Sequence, residues 1–259
     1  MHTRFVNNTV LVTGAGSGLG RAIAVSFAAE GASVVAVGRS AATLQETVDL
    51  ISCEGSDAVG VVADVTRSDD MRAAVSHAVE RFGGLNVAVN NAGVLRAGMS
   101  TADLLETDWR TMLDTNVTGV LLSMQAEIRH MRTHGGGAIV NISSMLGAHS
   151  RRRGVAGYIA TKAAVSALTR AAALDHIHDG VRINALSPGP TETSMSLLPG
   201  ESETERTARM KERMPIGRIS STGEIAAAVL YLASAAAASV VGADLVIDGG
   251  LSIDGGLSA

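Results

Sequence analysis

The sequence predicts an α/β protein: a single domain built on a doubly wound parallel sheet with helices on both faces. Three observations predict it. Short Val/Ile/Leu runs alternate with longer stretches of helical period along the chain. Those runs are nearly continuous in apolar residues, which marks strands covered on both sides. The chain has 259 residues, 46 % of them hydrophobic, so it can fill one large core, and no Pro-, Gly- or Ser-rich linker divides the pattern.

Strands are expected near Thr9–Thr13, Ser33–Val37, Ala58–Ala63, Leu85–Val89, Ala138–Ile142, Arg182–Leu186 and Asp244–Ile247. Helices are expected near Gly18–Ala29, Ala41–Ile51, Ser68–Phe82, Asp108–Arg132, Val155–Ile177 and Thr222–Ala233. The segment Thr191–Arg218 is polar, charged and weakly periodic, and a strandless stretch of that length in a compact domain reads as a lid. Near the C-terminus Ile247–Ser252 is repeated at once as Ile253–Ser258; the first copy reads as the end of the last strand and the second as a tail.

Composition removes several function classes. The formal net charge is -4 and aromatics are 2 % of residues, so neither a basic field nor a stacking platform for nucleic acid is present. Cys53 is the single cysteine, which forbids an internal disulfide and suits a reducing compartment. The N-terminal residues lack the charged and apolar regions of a secretory signal. No uncharged run reaches membrane-span length, the Ala226–Val241 stretch reading as a buried helix leading into a strand. The expected setting is cytoplasmic, with no membrane or nucleic-acid partner. The pairs His176/His178 and His130/His134 lack the companions of a zinc motif, so no metal site is expected.

The first strand runs into Thr13-Gly14-Ala15-Gly16-Ser17-Gly18-Leu19-Gly20 and then into a helix. Glycines there let backbone approach a pyrophosphate, and the helix start offers free N–H groups with positive partial charge. The common dinucleotide spacing would place a glycine at Leu19, and a P-loop would end in Lys-Ser/Thr; neither is present.

The pattern that is present, Thr13, Gly14, Gly18 and Gly20, resembles the short-chain dehydrogenase/reductase family. The resemblance recurs in order along nearly the whole chain: Asp64-Val65, Asn90-Asn91-Ala92-Gly93, Asn116, Asn141-Ile142-Ser143-Ser144, Tyr158 with Lys162, Ser187 through Thr193, and Val246 through Gly250. It implies a Rossmann-type fold and an oxidoreductase that moves a hydride between NAD(P) and an alcohol or ketone. It implies cofactor contacts from Thr13, Gly14, Ser17, Gly18, Leu19, Gly20, Asp64, Val65, Asn91, Ala92, Gly93, Tyr158, Lys162, Pro188, Gly189, Thr191 and Thr193. Asn116 would bind a water that links Lys162 to solvent, and Lys162 would hold the nicotinamide ribose.

The chemistry is readable beside the resemblance. Hydride transfer requires a proton to move at the substrate oxygen, and Tyr158 is a proton carrier whose free pKa is ~10. The charge of Lys162, one helical turn on, together with that of the nicotinamide, is expected to favour the phenolate and lower that value. Ser144, ahead of Gly147 at the family's interval, fits the substrate-binding serine better than Ser143, although the step to Tyr158 is one residue longer than the commonest spacing. After the second strand stands Gly38, where an NAD-preferring member usually has Asp, followed by Arg39 and Ser40. A glycine leaves room for a 2′-phosphate, and Arg39 and Ser40 supply donors to it, so NADP is the expected cofactor, with NAD as the alternative.

Three regions are expected to shape the substrate pocket: Val94–Met99, Met145–Gly157 and the lid. Arg151-Arg152-Arg153 in the second reads as a solvated or subunit-facing run, with an anionic substrate as the alternative. The chain resembles bacterial 3-oxoacyl reductases, but Gly135–Ala138 and His178–Gly180 lack the basic residues that an acidic carrier protein needs. A free small-molecule alcohol or ketone is therefore expected, against a 3-oxoacyl thioester or a non-catalytic dinucleotide sensor. Enoyl reductases of divergent relatives space tyrosine and lysine more widely. The family also implies a homotetramer or homodimer, with Val155–Leu174 and the last strand as contact surfaces.

Overall fold

A computed structural model describes residues 3–254. Seven parallel strands form one sheet in the order β3-β2-β1-β4-β5-β6-β7. They are β1 (Thr9–Thr13), β2 (Ser33–Gly38), β3 (Ala58–Val62), β4 (Val87–Asn90), β5 (Gly137–Ile142), β6 (Val181–Pro188) and β7 (Asp244–Ile247). The doubly wound Rossmann-type sheet expected from the sequence is present, and its order reverses between β1 and β4. In such sheets the crevice at the carboxyl ends of the strands beside the reversal is the ligand site.

Alternation within each strand explains the continuous apolar runs. Val10 and Val12 of β1 enter one core cluster, with α1 (Gly18–Ala29), α2 (Ala41–Cys53) and α9 (Thr222–Ala233). Leu11 points to the other, with α3 (Ser68–Phe82), α5 (Gly119–Met131) and α7 (Ala156–His176). Each such buried Val or Leu contributes about 1.5–3 kcal/mol of transfer free energy, so a polar side chain at either register would cost a whole layer its packing. The edge strands escape this rule: Val62 of β3 is 59 % exposed.

Two expectations need correction. The helix expected over Asp108–Arg132 is α4 (Glu106–Leu113), a π turn at Asp114–Thr118, and α5. Hydrophobic period cannot show the π turn, which inserts a residue without breaking the chain's helical course. The segment over 191–218 contains α8 (Glu203–Arg213), opened by a reciprocal capping box between Ser202 and Glu205. Ser-x-x-Glu at 202–205 was the available signal for that helix. The strand β7 ends at Ile247, so the first hexapeptide copy is mostly a turn, in which Asp248 accepts from the amides of Gly250 and Ser252. The second copy lies largely outside the described residues.

One cation closes the C-terminal unit. Arg182 of β6 donates to the carbonyls of Leu232, Ala233, Ser234 and Ala237 at 2.9–3.1 Å. It thereby caps the electronegative end of α9.

Candidate active site

The glycine turn after β1 is shaped by contacts that forbid side chains. A Cβ at Gly20 would lie 2.2 Å from the Gly14 carbonyl oxygen, and one at Gly14, where φ is +67°, would lie 2.9 Å from Asn91 Nδ2. The helix α1 begins after Ser17 with no side-chain cap and no acidic residue in its first turn. Its opening N–H groups and positive end are thus left for an anion. Arg21 locks the turn onto α2, donating to the Thr47 hydroxyl at 3.0 Å and the Thr43 carbonyl at 3.2 Å. Sequence reading missed this clamp, since a helical Arg has no motif of its own.

Thr13 and Asn91 join the two central strands. The Thr13 hydroxyl accepts from the amides of Asn91 and Ala92, at 3.0 and 3.1 Å, and Asn91 Nδ2 donates to the Thr13 carbonyl at 3.0 Å. Arg39 lies exposed at the end of β2, and Ser40 caps α2 by accepting from Thr43 N. That leaves the Ser40 proton free to donate. Hydrogen bonds from Thr66 hold the Asp64 carboxyl below the usual range, and the charges of Arg39 and Arg67 add to this. Val65 is buried beside it.

Beyond β6, Pro188 and Gly189 lead into the lid. The Thr193 side chain lies over Gly18, 3.6 Å from where a Cβ would stand. Thr191 Oγ1 donates to the Gly189 carbonyl at 3.0 Å. The helix α8 is tied to this segment by Arg206, which is 5 % exposed and donates to the Thr193 carbonyl at 3.1 Å.

The catalytic candidates converge at the ends of β4 and β5. Ser144 follows β5, accepts from the Leu146 amide at 3.1 Å and hydrogen-bonds the Tyr158 phenol. Ser143 faces away, donating to the Lys162 carbonyl at 2.9 Å and lying 2.9 Å from the Ser166 hydroxyl. Lys162 Nζ donates to the Ile142 carbonyl at 2.8 Å and stands 5.8 Å from the Tyr158 ring centre. Asn116, in the π turn, is fully buried and bonded to both backbone groups of Val94 and to the Thr161 hydroxyl. A Cβ at Gly93 would lie 3.3 Å from Asn116 Oδ1 and 3.5 Å from Lys162 Nζ. The missing side chain thus leaves a small space bordered by both.

Burial sets the electrostatics of the pair in the protein alone. Burial pushes the Tyr158 phenol up, and only the Ser144 hydrogen bond opposes it. Burial also brings the Lys162 ammonium down to about 8. Both groups are less than one-tenth exposed, so in the protein alone desolvation governs the pair. Among the described residues no group of three or more His, Cys, Asp or Glu is placed to hold a metal ion. His130 and His134 instead stack with ring centres 4.1 Å apart.

A family profile described as enoyl-(acyl carrier protein) reductase matches residues 14–252. Cyclohexanol dehydrogenase of Acinetobacter sp. strain SE19 is 39 % identical, over 96 % of this chain and 96 % of that protein. The chain belongs to the short-chain dehydrogenase/reductase family. Galactitol 2-dehydrogenase (L-tagatose-forming) of Cereibacter sphaeroides is 41 % identical, over 92 % of each chain. Among solved structures, levodione reductase superposes with a TM-score of 0.91 at 33 % identity, over 97 % of this chain and 100 % of that one. A short-chain type dehydrogenase/reductase from Mycobacterium marinum superposes with a TM-score of 0.87 at 33 % identity, over 96 % and 97 %. No helix among the described residues is long and apolar enough to cross a membrane.

Proposed function

We propose that this chain transfers a hydride between NADP(H) and a small-molecule secondary alcohol or ketone, with Tyr158 moving the proton at the substrate oxygen. The observation that carries the reading is the convergence of Ser144, Tyr158 and Lys162 at the ends of β4 and β5, beside a turn that only backbone can line.

A dinucleotide fits the residues present. The turn Thr13–Gly20 offers a cradle that a Cβ at Gly14 or Gly20 would fill, with the uncapped start of α1 facing it. In that cradle Gly14, Ser17, Gly18 and Leu19 would hold the pyrophosphate. Asp64, Val65, Asn91, Ala92 and Gly93 would line the adenine side, and Pro188, Gly189, Thr191 and Thr193 the nicotinamide side. Arg39 and Ser40 would take a 2′-phosphate, which Gly38 leaves room for. The bound nicotinamide supplies or accepts the hydride.

The protein's part is the proton. Ser144 holds the substrate oxygen against Tyr158, so proton transfer at that oxygen is short. A substrate alkoxide, as the stronger base, would take the tyrosine's proton, and a cationic ring would favour the phenolate that burial disfavours, so the proton is released only when the site is filled. Lys162 holds the ribose hydroxyls and faces the space beside Gly93, which suits a water bonded to Asn116 Oδ1. That water links Lys162 to solvent. The lid over residues 191–218 covers the pocket. The relatives' names favour a cyclic alcohol or a polyol as the first substrates to try, and a four-residue Tyr158–Lys162 step favours ketone over enoyl reduction. A homotetramer or homodimer in the cytoplasm completes the proposal.

The test follows NADPH and NADH absorbance with cyclic ketones and polyols, on wild type and Tyr158→Phe. Turnover in wild type that the variant loses supports the reading. Dinucleotide binding with no turnover on any alcohol, ketone or 3-oxoacyl thioester supports a sensor instead.

A further inference from the structure

A row of buried polar side chains crosses the sheet behind the catalytic residues: Glu127 on α5, Asn90 on β4, Asn141 on β5 and Thr169 on α7. None is more than 2 % exposed. Asn90 Nδ2 donates to Glu127 Oε2 and to Asn141 Oδ1, each at 3.0 Å, and Asn141 Nδ2 donates to Thr169 Oγ1 at 2.9 Å. Two oxygens of the row have no donor: Glu127 Oε1 and Asn90 Oδ1. Both belong to the residues that the first hydrogen bond already joins. As a carboxylate and an amide, they leave two buried acceptors without a donor, a costly arrangement away from water. A carboxylic acid and a primary amide, by contrast, pair through two bonds, N–H to the acid carbonyl and O–H to the amide carbonyl.

We propose that Glu127 is held as the neutral acid, closed on Asn90 in a two-bond acid–amide pair, and that this pair positions the catalytic ends of β4 and β5. Asn90 precedes Asn91, which ties β4 to Thr13 and the glycine turn. Asn141 precedes Ile142, whose carbonyl takes the Lys162 ammonium. The pair therefore stands one residue behind both arms of the site.

Nothing charged competes for Glu127. The strands β4 and β5 carry no titratable side chain. On α7 the buried ones are Tyr158 and Lys162, held by Ser144 and Ile142. On α3, Asp69, Arg72, His77, Glu80 and Arg81 are exposed, and Asp70 turns to the Asp64 amide. Asp114 and Arg129 are exposed, and His130 stacks on His134. Burial alone pushes the carboxyl up to about 8, against the Asn90 hydrogen bond.

The test compares wild type with Glu127→Gln, whose amide keeps one donor and one acceptor at every pH, and with Glu127→Leu, which has neither. The infrared difference spectrum between wild type and E127Q at about pH 7 is expected to show the carbonyl stretch of a protonated acid, fading as the pH passes about 8. Over the same range the kcat of wild type is expected to fall about tenfold relative to E127Q, while E127L is slow throughout or fails to fold. Absence of the acid band at neutral pH overturns the pairing. A band whose loss leaves the kcat ratio unmoved overturns the positioning role. The kinetic arm rests on the proposed hydride transfer. If wild type turns over no alcohol, that reading fails, while melting temperatures of the two proteins against pH still decide whether the pair holds β4.

Discussion

Between β1 and β3 the proposed site is built of backbone and of the space where side chains are missing. Between β4 and β7 it is built of side chains taken out of water. At Gly20 a single Cβ would collide with the Gly14 carbonyl, so the first region works by shape and by the partial charges of a helix start. Tyr158, Lys162 and Glu127 all have their proton affinities moved by burial, so in the proposed mechanism the second would work by making protonation states depend on what is bound. A groove of backbone dipoles is largely indifferent to pH; a cluster of desolvated acids and bases is not.

The largest effect should come from the second region. Tyr158→Phe is expected to lower kcat/KM by about 10³-fold with dinucleotide affinity and melting temperature little changed; equal loss of binding would mean that the two regions are not separable. Gly20→Ala should do the reverse. Its Cβ forces the turn to move, and calorimetric titration is expected to show roughly 100-fold weaker dinucleotide binding, or about 3 kcal/mol.

The pH response sharpens the contrast further. Glu127 rises from 4.5 in a model peptide to about 8 in the fold, so the folded state holds the proton longer. Its contribution is complete below about 4.5 and is lost as pH climbs through about 8, on the order of 2–3 kcal/mol after relaxation. Lys162 moves the other way, from 10.5 to about 8; it costs stability below about 8 and releases that cost as pH rises towards 10.5. Melting temperature should therefore fall on approaching about pH 8 and recover above it, and the falling limb should vanish in E127Q. The smallest effect belongs to the glycine region's rim. Arg39→Ala should cut the preference for NADPH over NADH about tenfold, or ~1.4 kcal/mol, since an exposed guanidinium acts through water and salt.

The same contrast explains what was legible beforehand. Glycines at 14, 18 and 20, the Tyr158–Lys162 step and the strand runs are local, so they stand in the sequence in reading order. The glycine turn, the Tyr158–Lys162 helix face and five of the helices could be located from patterns of this kind. Glu127 could not. It sits on a helix whose face is shifted by the π turn at Asp114–Thr118, and its partner Asn90 lies 37 positions away. A glutamate on an amphipathic helix reads as solvated until the pairing is known. The burial of Tyr158 and Lys162 was hidden for a related reason: charge spacing along a helix was visible, but the loss of water around both groups was not.

Arg182 has a consequence in time rather than in energy. Its four carbonyl partners lie 50–55 positions downstream, so the guanidinium finds them only after β6 has joined the sheet and α9 has docked. A contact that closes so late belongs to the native side of the folding barrier. Its removal in Arg182→Met should leave the refolding rate almost unchanged and hasten unfolding. The C-terminal end of the sheet, where the lid and the last strand are hung, would then be the place from which the molecule first comes apart.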